Sequence, residues 1–252
     1  MTQIGGEIIE AGGGLKSFYS SFDTFLLRTF AYTTARVSCF LYFYDKLNKD
    51  PRRQAKPDYM AAAGIAGGMI AGVVTNPFEI VFVRQQADAL YPVQARRNYK
   101  HFFDGLFKVT QEGALLRGAF MNGCKMAAIG SSMTSLFDWC KENSYFFIGP
   151  HFLNRLWATA AAVTVGSLVS MPFDMLRTRM YTMRPLPNGQ MPYKNAFDCF
   201  FKIARYESDM YKSANLQSMY AGFQAYWLRL FGVCYVSMYL LDYYHSHNYW
   251  LE

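Results

Sequence analysis

The chain has 252 residues, of which 52% are hydrophobic, 18% aromatic and only 17% charged, and its formal net charge is +7. Its five cysteines are odd in number and form no CxxC pair, which argues against a disulfide framework and against a cysteine zinc site. The positive charge suits anionic partners, whether lipid headgroups, acidic solutes or nucleic acid, and does not by itself distinguish between them.

Five segments are long enough and poor enough in charge to be predicted as membrane-spanning helices. Two of them, 60–78 and 156–173, contain no Asp, Glu, Lys or Arg. The other three carry one or two cations, which are costly in hydrocarbon unless they are paired. A soluble all-α protein is the alternative, but five such stretches leave little sequence for a polar outer layer. In chain order the predicted spans are 24–44 with Arg28 and Arg36, 60–78, 118–136 with Lys125, 156–173, and 219–241 with Arg229.

Lys and Arg are unevenly distributed over the connecting segments. Segments 79–117 and 174–218, together with Lys16, hold 14 of them, whereas 45–58, 139–155 and the C-terminal tail hold 7. The positive-inside rule therefore places the first set and the N-terminus on the matrix or cytoplasmic side, with the C-terminus on the opposite side. The first residues match neither a signal peptide nor a transit peptide, so we expect the targeting information to be internal.

The chain contains an internal repeat, which indicates the architecture. The tripeptide at 77–79 (PFE) recurs at 172–174 (PFD), an offset of 95 residues, and the segment at 99–104 (YKHFFD) recurs at 193–198 (YKNAFD), an offset of 94. Each copy consists of a span, a Pro-acid kink, a surface segment and a second span. We predict full repeats at 51–148 and 149–252, preceded by a half repeat at 1–50 that matches only the second span of such a unit.

The Pro-acid segments carry a family resemblance. The sequence PFDMLRTR at 172–179 fits the pattern P-x-[DE]-x-x-[KR]-x-[KR], and PFEIVFVR at 77–84 fits it with Phe82 in place of the first base. Both resemble the signature of the mitochondrial carrier family. In addition, LLRTFAYTTAR at 26–36 and NPFEIVFVRQQAD at 76–88 are similar to 2-oxoglutarate/malate carriers of that family.

The resemblance covers nearly the whole chain and implies an all-α pseudo-threefold bundle in the mitochondrial inner membrane, with short matrix helices on its surface. By the repeat offset, the first Pro-acid kink and its helix would precede Met1, so five transmembrane helices are expected instead of six. The N-terminus is then expected in the matrix and the C-terminus in the intermembrane space.

The resemblance also implies where a substrate would bind. In the family, substrate contacts lie about two turns into the even-numbered helices, seven residues after a glycine start. Such starts are recognisable here at Gly118 and Gly222, and by alignment at Ser21. Counting from them gives three cations, for which a dicarboxylate is the implied partner. These are Arg28, Lys125 and Arg229, and Tyr32 and Arg36 follow on the same helix face as Arg28.

Two gates are implied by the resemblance. On the matrix side, the acids Glu79 and Asp174 are present, but Phe82 replaces one base, so we expect only the Glu79–Arg177 pair to form. On the opposite face, the [FY][DE]xx[KR] pattern is intact only at Asp138 with Lys141. The corresponding segments at Asp45 and Asp242 are eroded.

The polar starts of the surface segments are candidate lipid sites, and the C-terminal tail carries an HxH sequence. The starts of these segments are expected to bind cardiolipin phosphate or to serve as ordinary interfacial anchors, through Tyr99, Lys100, Tyr193 and Lys194. His245 and His247 beside Asp242 lie on a polar tail, where an HxH sequence is usually solvated, so we expect no metal. No cofactor other than cardiolipin is expected.

Two functions remain open at this point. The first, which the loss of a helix and of gate pairs favours, is an accessory subunit of a respiratory-type inner-membrane complex, with other subunits covering the open side. The second is a dicarboxylate antiporter. No nucleophile elbow, P-loop or metal motif indicates an enzyme, and the resemblance implies no nucleic-acid partner.

Overall fold

A computed structural model describes residues 21–48, 57–88, 91, 96–97, 99, 101–148, 151–185, 191–206, 217–220 and 222–248. These residues are almost entirely helical, which confirms the predicted all-α fold class. A π-helical turn, Ser132–Leu136, joins the fifth and sixth helices, and a 3-10 turn, Gln217–Tyr220, precedes the last. The helices are α1 (Phe22–Leu47), α2 (Pro57–Val74), α3 (Asn76–Asp88), α4 (Phe102–Gln111), α5 (Ala119–Ser131), α6 (Phe137–Ile148), α7 (His151–Thr182), α8 (Ala196–Tyr206) and α9 (Phe223–Asn248).

The long helices pack side by side. Helix α1 packs on α2, α2 on α5, α5 on α7, and α7 on α9, and α7 also contacts α3, α6 and α8. One apolar core lies where α6, α7 and α9 meet, and it includes Phe137, Ala162 and Trp227. Helix α1 also contacts α3, and Thr24 is its one buried residue.

The two Pro-acid segments differ in backbone shape. Helices α2 and α3 are separated at Thr75 and bent by 63°. Pro77 follows the break and has no N–H with which to continue the α2 ladder, while the Thr75 hydroxyl donates to the Ala71 carbonyl at 2.7 Å. The second copy is different, because Pro172 lies inside the uninterrupted helix α7. The predicted kink is therefore found as a break at the first copy only.

Two regions satisfy the length and composition required to cross a membrane, within the part of the chain that the structure describes. One is Leu153–Thr182, and the other is the bent pair Asp58–Val74 and Asn76–Asp88, if the pair counts as one span. Five spans were predicted. The other three predicted spans fall on α1, on α5 with the π-turn, and largely on α9, and of these α5 has only 13 residues.

Glycines allow α2 and α5 to approach each other at backbone distance. A Cβ atom added at Gly68 would lie 2.6 Å from the Met126 carbonyl oxygen, and one at Gly72 would lie 2.8 Å from the Gly123 Cα. On another side of α2, a Cβ added at Gly67 would lie 3.0 Å from the Phe40 nitrogen in α1. Small residues spaced in this way let helices pack closely in lipid.

We expect the substitution Gly68→Ala to lower the free energy of unfolding by about 1–3 kcal/mol, because the new methyl would overlap backbone atoms that cannot rotate away. The measurement is thermal unfolding of the purified protein in detergent. Gly232→Ala in α9 is the matched control, since nothing lies within 4 Å of its added Cβ and alanine favours a helix. Equal effects of the two substitutions would contradict the prediction.

Candidate functional site

Five charged side chains from four helices form what we call the central ion cluster. Glu79 Oε2 is 2.9 Å from Arg177 Nη1 and 3.2 Å from Arg28 Nη1. Asp174 Oδ1 is 2.7 Å from Arg177 Nη2 and 2.8 Å from Lys125 Nζ. Because Arg177 contacts both acids, it joins the two halves of the cluster. The cluster therefore links α1, α3, α5 and α7.

The position of each charge in the cluster follows from the local sequence. Glu79 and Asp174 each lie two residues after the proline of a repeat, and Arg177 lies one turn beyond Asp174 on the same helix face. Asn122, which the sequence patterns did not indicate, accepts a hydrogen bond from Arg177 Nη1 at 2.8 Å and donates one to the Gly72 carbonyl at 2.7 Å. Asn122 lies three residues before Lys125, so helical periodicity could have identified it as facing the same site.

Each cation of the cluster lies against an aromatic ring. The Arg28 guanidinium carbon is 4.5 Å from the Phe82 ring centroid, Lys125 Nζ is 5.4 Å from that of Tyr226, and the Arg177 guanidinium carbon is 5.4 Å from that of Tyr181. The Tyr226 hydroxyl is hydrogen-bonded to the Ser170 hydroxyl at 3.1 Å, which fixes its ring between α7 and α9. Such contacts stabilise a cation by about 0.5–2 kcal/mol.

The cluster has one more cation than it has acids. Glu79 is 1% exposed, whereas the Arg28 side chain is 24% exposed. Arg28 contacts Glu79 through Nη1, and its side chain is the most exposed of the cluster, so part of the guanidinium can be reached from outside the cluster. An added anion could therefore bind Arg28 and would offset the surplus positive charge.

The five predicted substrate-binding residues do not all come together. Arg28 and Lys125 both belong to the central ion cluster. Tyr32 lies near Arg28, Arg36 and Glu79. Arg229 is exposed, and its guanidinium carbon lies 5.6 Å from the ring centroid of Tyr226. The two predicted cations on α1 and α5 thus face acids of neighbouring helices, whereas the one on α9 lies near the Tyr226 ring, as Lys125 also does.

Two sets of predicted residues meet at the predicted matrix gate. The expected Glu79–Arg177 pair is present in the structure. Arg28 and Lys125, which were assigned to a separate substrate site, pair with the gate acids Glu79 and Asp174. The substrate-binding and matrix-gate residues therefore form one connected site. Its role as a gate stays a prediction.

The residues predicted for the opposite face are only partly described. Asp45 is exposed near the C-terminal end of α1, and Asp138 is half-buried. Lys141 Nζ lies 5.9 Å from the centroid of the Phe137 ring. The side chain of Asp242 lies outside the described residues. This second gate stays a prediction.

The predicted lipid-binding segments have matching geometry in the two repeats. Lys108 pairs with Asp104 at 2.8 Å and lies 5.4 Å from the Tyr99 ring, and Lys202 pairs with Asp198 at 2.8 Å and lies 5.8 Å from the Tyr193 ring. The hydrogen bond from Lys202, followed by that from the Lys194 backbone N–H at 3.0 Å, lowers the pKa of the Asp198 carboxyl. The Asp198 carboxyl is therefore ionised at neutral pH. Lys100 lies outside the described residues, and lipid binding stays a prediction.

A further buried cation outside the central ion cluster, Arg84, was not predicted as a site residue. Its Nε donates to the Tyr181 carbonyl at 2.9 Å, and its Nη1 donates to Glu112 Oε2 at 2.8 Å and to the Tyr99 hydroxyl at 3.3 Å. Its side chain is fully buried, so these contacts are needed to satisfy the charge. Arg84 thus ties α3 to the end of α4 and to α7.

Comparison with known proteins identifies the family. The family model described as "Mitochondrial carrier protein" matches residues 54–146 and 149–249. The chain is 64% identical over 247 residues to a macronuclear solute carrier homolog of Oxytricha trifallax. That alignment covers 98% of this chain and 67% of the relative. It is 31% identical over 242 residues to a putative mitochondrial 2-oxoglutarate/malate carrier protein of Neurospora crassa, covering 93% of the chain and 71% of the relative. The mitochondrial 2-oxoglutarate/malate carrier protein of Homo sapiens is 28% identical over 228 residues, covering 86% and 68%. The chain belongs to the mitochondrial carrier family.

Proposed function

We propose that this protein carries a small dicarboxylate across the mitochondrial inner membrane, and that the solute binds at the central ion cluster. The observation that carries the proposal is the surplus of one cation in a largely buried cluster, of which Arg28 has the most exposed side chain. A dianion is the partner that this arrangement suits, because each of its carboxylates can accept charge-assisted hydrogen bonds from a separate cation.

The contacts of Arg177 make such binding feasible. A bound solute would take Arg28 from Glu79 and Lys125 from Asp174. Neither acid would be left alone, because Arg177 remains 2.9 Å from Glu79 and 2.7 Å from Asp174. A buried acid without a partner would cost several kcal/mol. Arg177 therefore removes the main free-energy cost of this exchange of partners.

The relatives support the choice of solute class. Several proteins with which this chain aligns over most of its length are 2-oxoglutarate/malate carriers by name. We propose the same class of solute here, since two of the cations to which the alignment assigns substrate contacts belong to the cluster.

The experiment is reconstitution of the purified protein into liposomes that contain malate, followed by uptake of labelled 2-oxoglutarate. We expect uptake that saturates with external solute and that requires internal dicarboxylate. Liposomes without internal malate are the control, and a variant with the exposed Lys46→Gln at the end of α1 tests for general effects of lost charge. Uptake no faster than in protein-free liposomes would contradict the proposal.

An accessory subunit is the second candidate, and one observation favours it. Arg229 on α9 is exposed within a helix predicted to cross the membrane, and a cation at that depth needs cover by protein or water. Under this proposal, other inner-membrane subunits cover α9 and α1. Chemical cross-linking in intact mitochondria from a cysteine at position 229 tests it. Adducts with a defined inner-membrane complex, together with failed exchange in liposomes, would favour this candidate over the first.

We further propose that the N-terminus lies in the matrix, that the C-terminus lies in the intermembrane space, and that cardiolipin binds beside Tyr99 and Tyr193. The bias of Lys and Arg in the connecting segments supports this orientation. A tag after residue 252 should be cleaved by protease in mitoplasts with intact inner membranes, and its protection would contradict the orientation.

A further inference from the structure

Phe82 lies at a position of the repeat at 51–148 that is occupied by a basic residue in the repeat at 149–252. The repeat offset of 95 residues aligns Phe82 with Arg177. Arg177 supplies a cation to Glu79 from its own side chain. Phe82 has no charge to supply, yet Glu79 pairs with a second cation, which comes from α1.

That second cation, Arg28, lies directly against Phe82. The guanidinium carbon is 4.5 Å from the Phe82 ring centroid and 5.9 Å from that of Phe25, and the two rings are 6.1 Å apart. Phe82 is 7% exposed, so its ring is held by its surroundings, whereas Phe25 is 42% exposed. The buried ring therefore defines where the long, flexible Arg28 side chain can rest.

We propose that Phe82 is the positioning residue for Arg28, holding its guanidinium where Glu79 and a solute carboxylate can exchange as its partner. The part of this inference that concerns the solute rests on the proposed function. The part that concerns the contact between α1 and α3 does not. Arg28 loses rotamer freedom when it is held, and a ring contact offsets that loss without using any of its hydrogen-bond donors. The donors therefore stay available for carboxylates. A basic residue at position 82 would instead repel Arg28 and keep it from reaching them.

The first arm measures transport by three variants in the liposome exchange. Phe82→Leu removes the ring and keeps an apolar side chain, and we expect the KM for 2-oxoglutarate to rise about tenfold with a change in maximal rate of less than about twofold. Phe82→Tyr keeps the ring and should restore the KM. In an Arg28→Gln background, Phe82→Leu should change the KM no further. A loss of maximal rate with unchanged KM in Phe82→Leu, or no rescue by Phe82→Tyr, would show a merely structural role and overturn the inference.

The second arm needs no transport. Nitroxide labels at the exposed positions Val37 in α1 and Val165 in α7 report the distance between these helices by pulsed electron paramagnetic resonance, in nanodiscs without solute. We expect Phe82→Leu and Arg28→Gln to broaden the distance distribution equally, and Phe82→Tyr to leave it unchanged. If the wild type does not transport but this pattern holds, the proposed function fails and the positioning role stands. If Arg28→Gln broadens the distribution and Phe82→Leu does not, the positioning role is wrong.

Discussion

Replacing Glu79 with Gln should lower the free energy of unfolding by about 3–5 kcal/mol, the range typical of breaking a buried ion pair by removing one partner. Glu79 is 1% exposed and pairs with both Arg28 and Arg177. The neutral amide keeps the shape of the side chain but leaves the three cations of the cluster with one acid, Asp174, which is a surplus of two positive charges. The measurement is thermal or denaturant unfolding in detergent, followed by circular dichroism.

Asp104→Asn is the matched control for this experiment. Asp104 pairs with Lys108 at 2.8 Å, a distance similar to those of the buried pairs, but both side chains are about one third exposed. Exposed pairs contribute roughly 0–1 kcal/mol, so this variant should unfold close to the wild type. If Glu79→Gln were no more destabilising than Asp104→Asn, the central ion cluster would not hold α1, α3 and α7 together.

Replacing Lys125 with Gln should slow dicarboxylate exchange by roughly tenfold to 100-fold, which corresponds to the loss of one charge-assisted hydrogen bond to the solute. The fold should be affected much less than by Glu79→Gln, because Asp174 retains Arg177 at 2.7 Å. Initial rates of labelled 2-oxoglutarate uptake, normalised to folded protein, provide the measurement.

Lys125→Arg separates the charge from the shape of this residue. Arginine keeps the positive charge beside Asp174 and Tyr226 but presents a planar fork instead of a compact ammonium. We expect this variant to retain more exchange than Lys125→Gln and less than the wild type. Unchanged exchange in Lys125→Gln would show that the solute does not contact α5 at this position.

The fold class could be predicted from the sequence because charge-free segments, the internal repeat and the Pro-acid motif all indicate the same helical architecture. The pair of Glu79 with Arg177 could also be predicted, since the motif specifies both positions. The break at Thr75 and the uninterrupted helix at Pro172 could not, because the two copies share the proline, and the effect of the different residues before it depends on the packing around them.

The sequence could not predict that the substrate-binding and matrix-gate residues form one connected site, and the reason is physical. A motif describes one helix, whereas Arg28 and Lys125 pair with acids of other helices. These pairs cross the α1–α3 and α5–α7 contacts, which only the packed bundle defines. Tyr226 illustrates the same limit. It lies three residues before Arg229 on the same helix, but its ring lies near both Lys125 and Arg229, and nothing in the spacing indicates the first of these contacts.

The net positive charge of the central ion cluster has a consequence for the membrane voltage. Moving one elementary charge through the membrane potential is worth about 2.3 kcal/mol per 100 mV, so a dianion that crosses alone would couple to the voltage with about 4.6 kcal/mol per 100 mV. The helix charges stay in place while the solute moves. A cluster that is left with uncompensated positive charge when one dianion departs favours the entry of another, and a one-for-one exchange of dianions moves no net charge. Such an exchange would be neither driven nor opposed by the membrane potential.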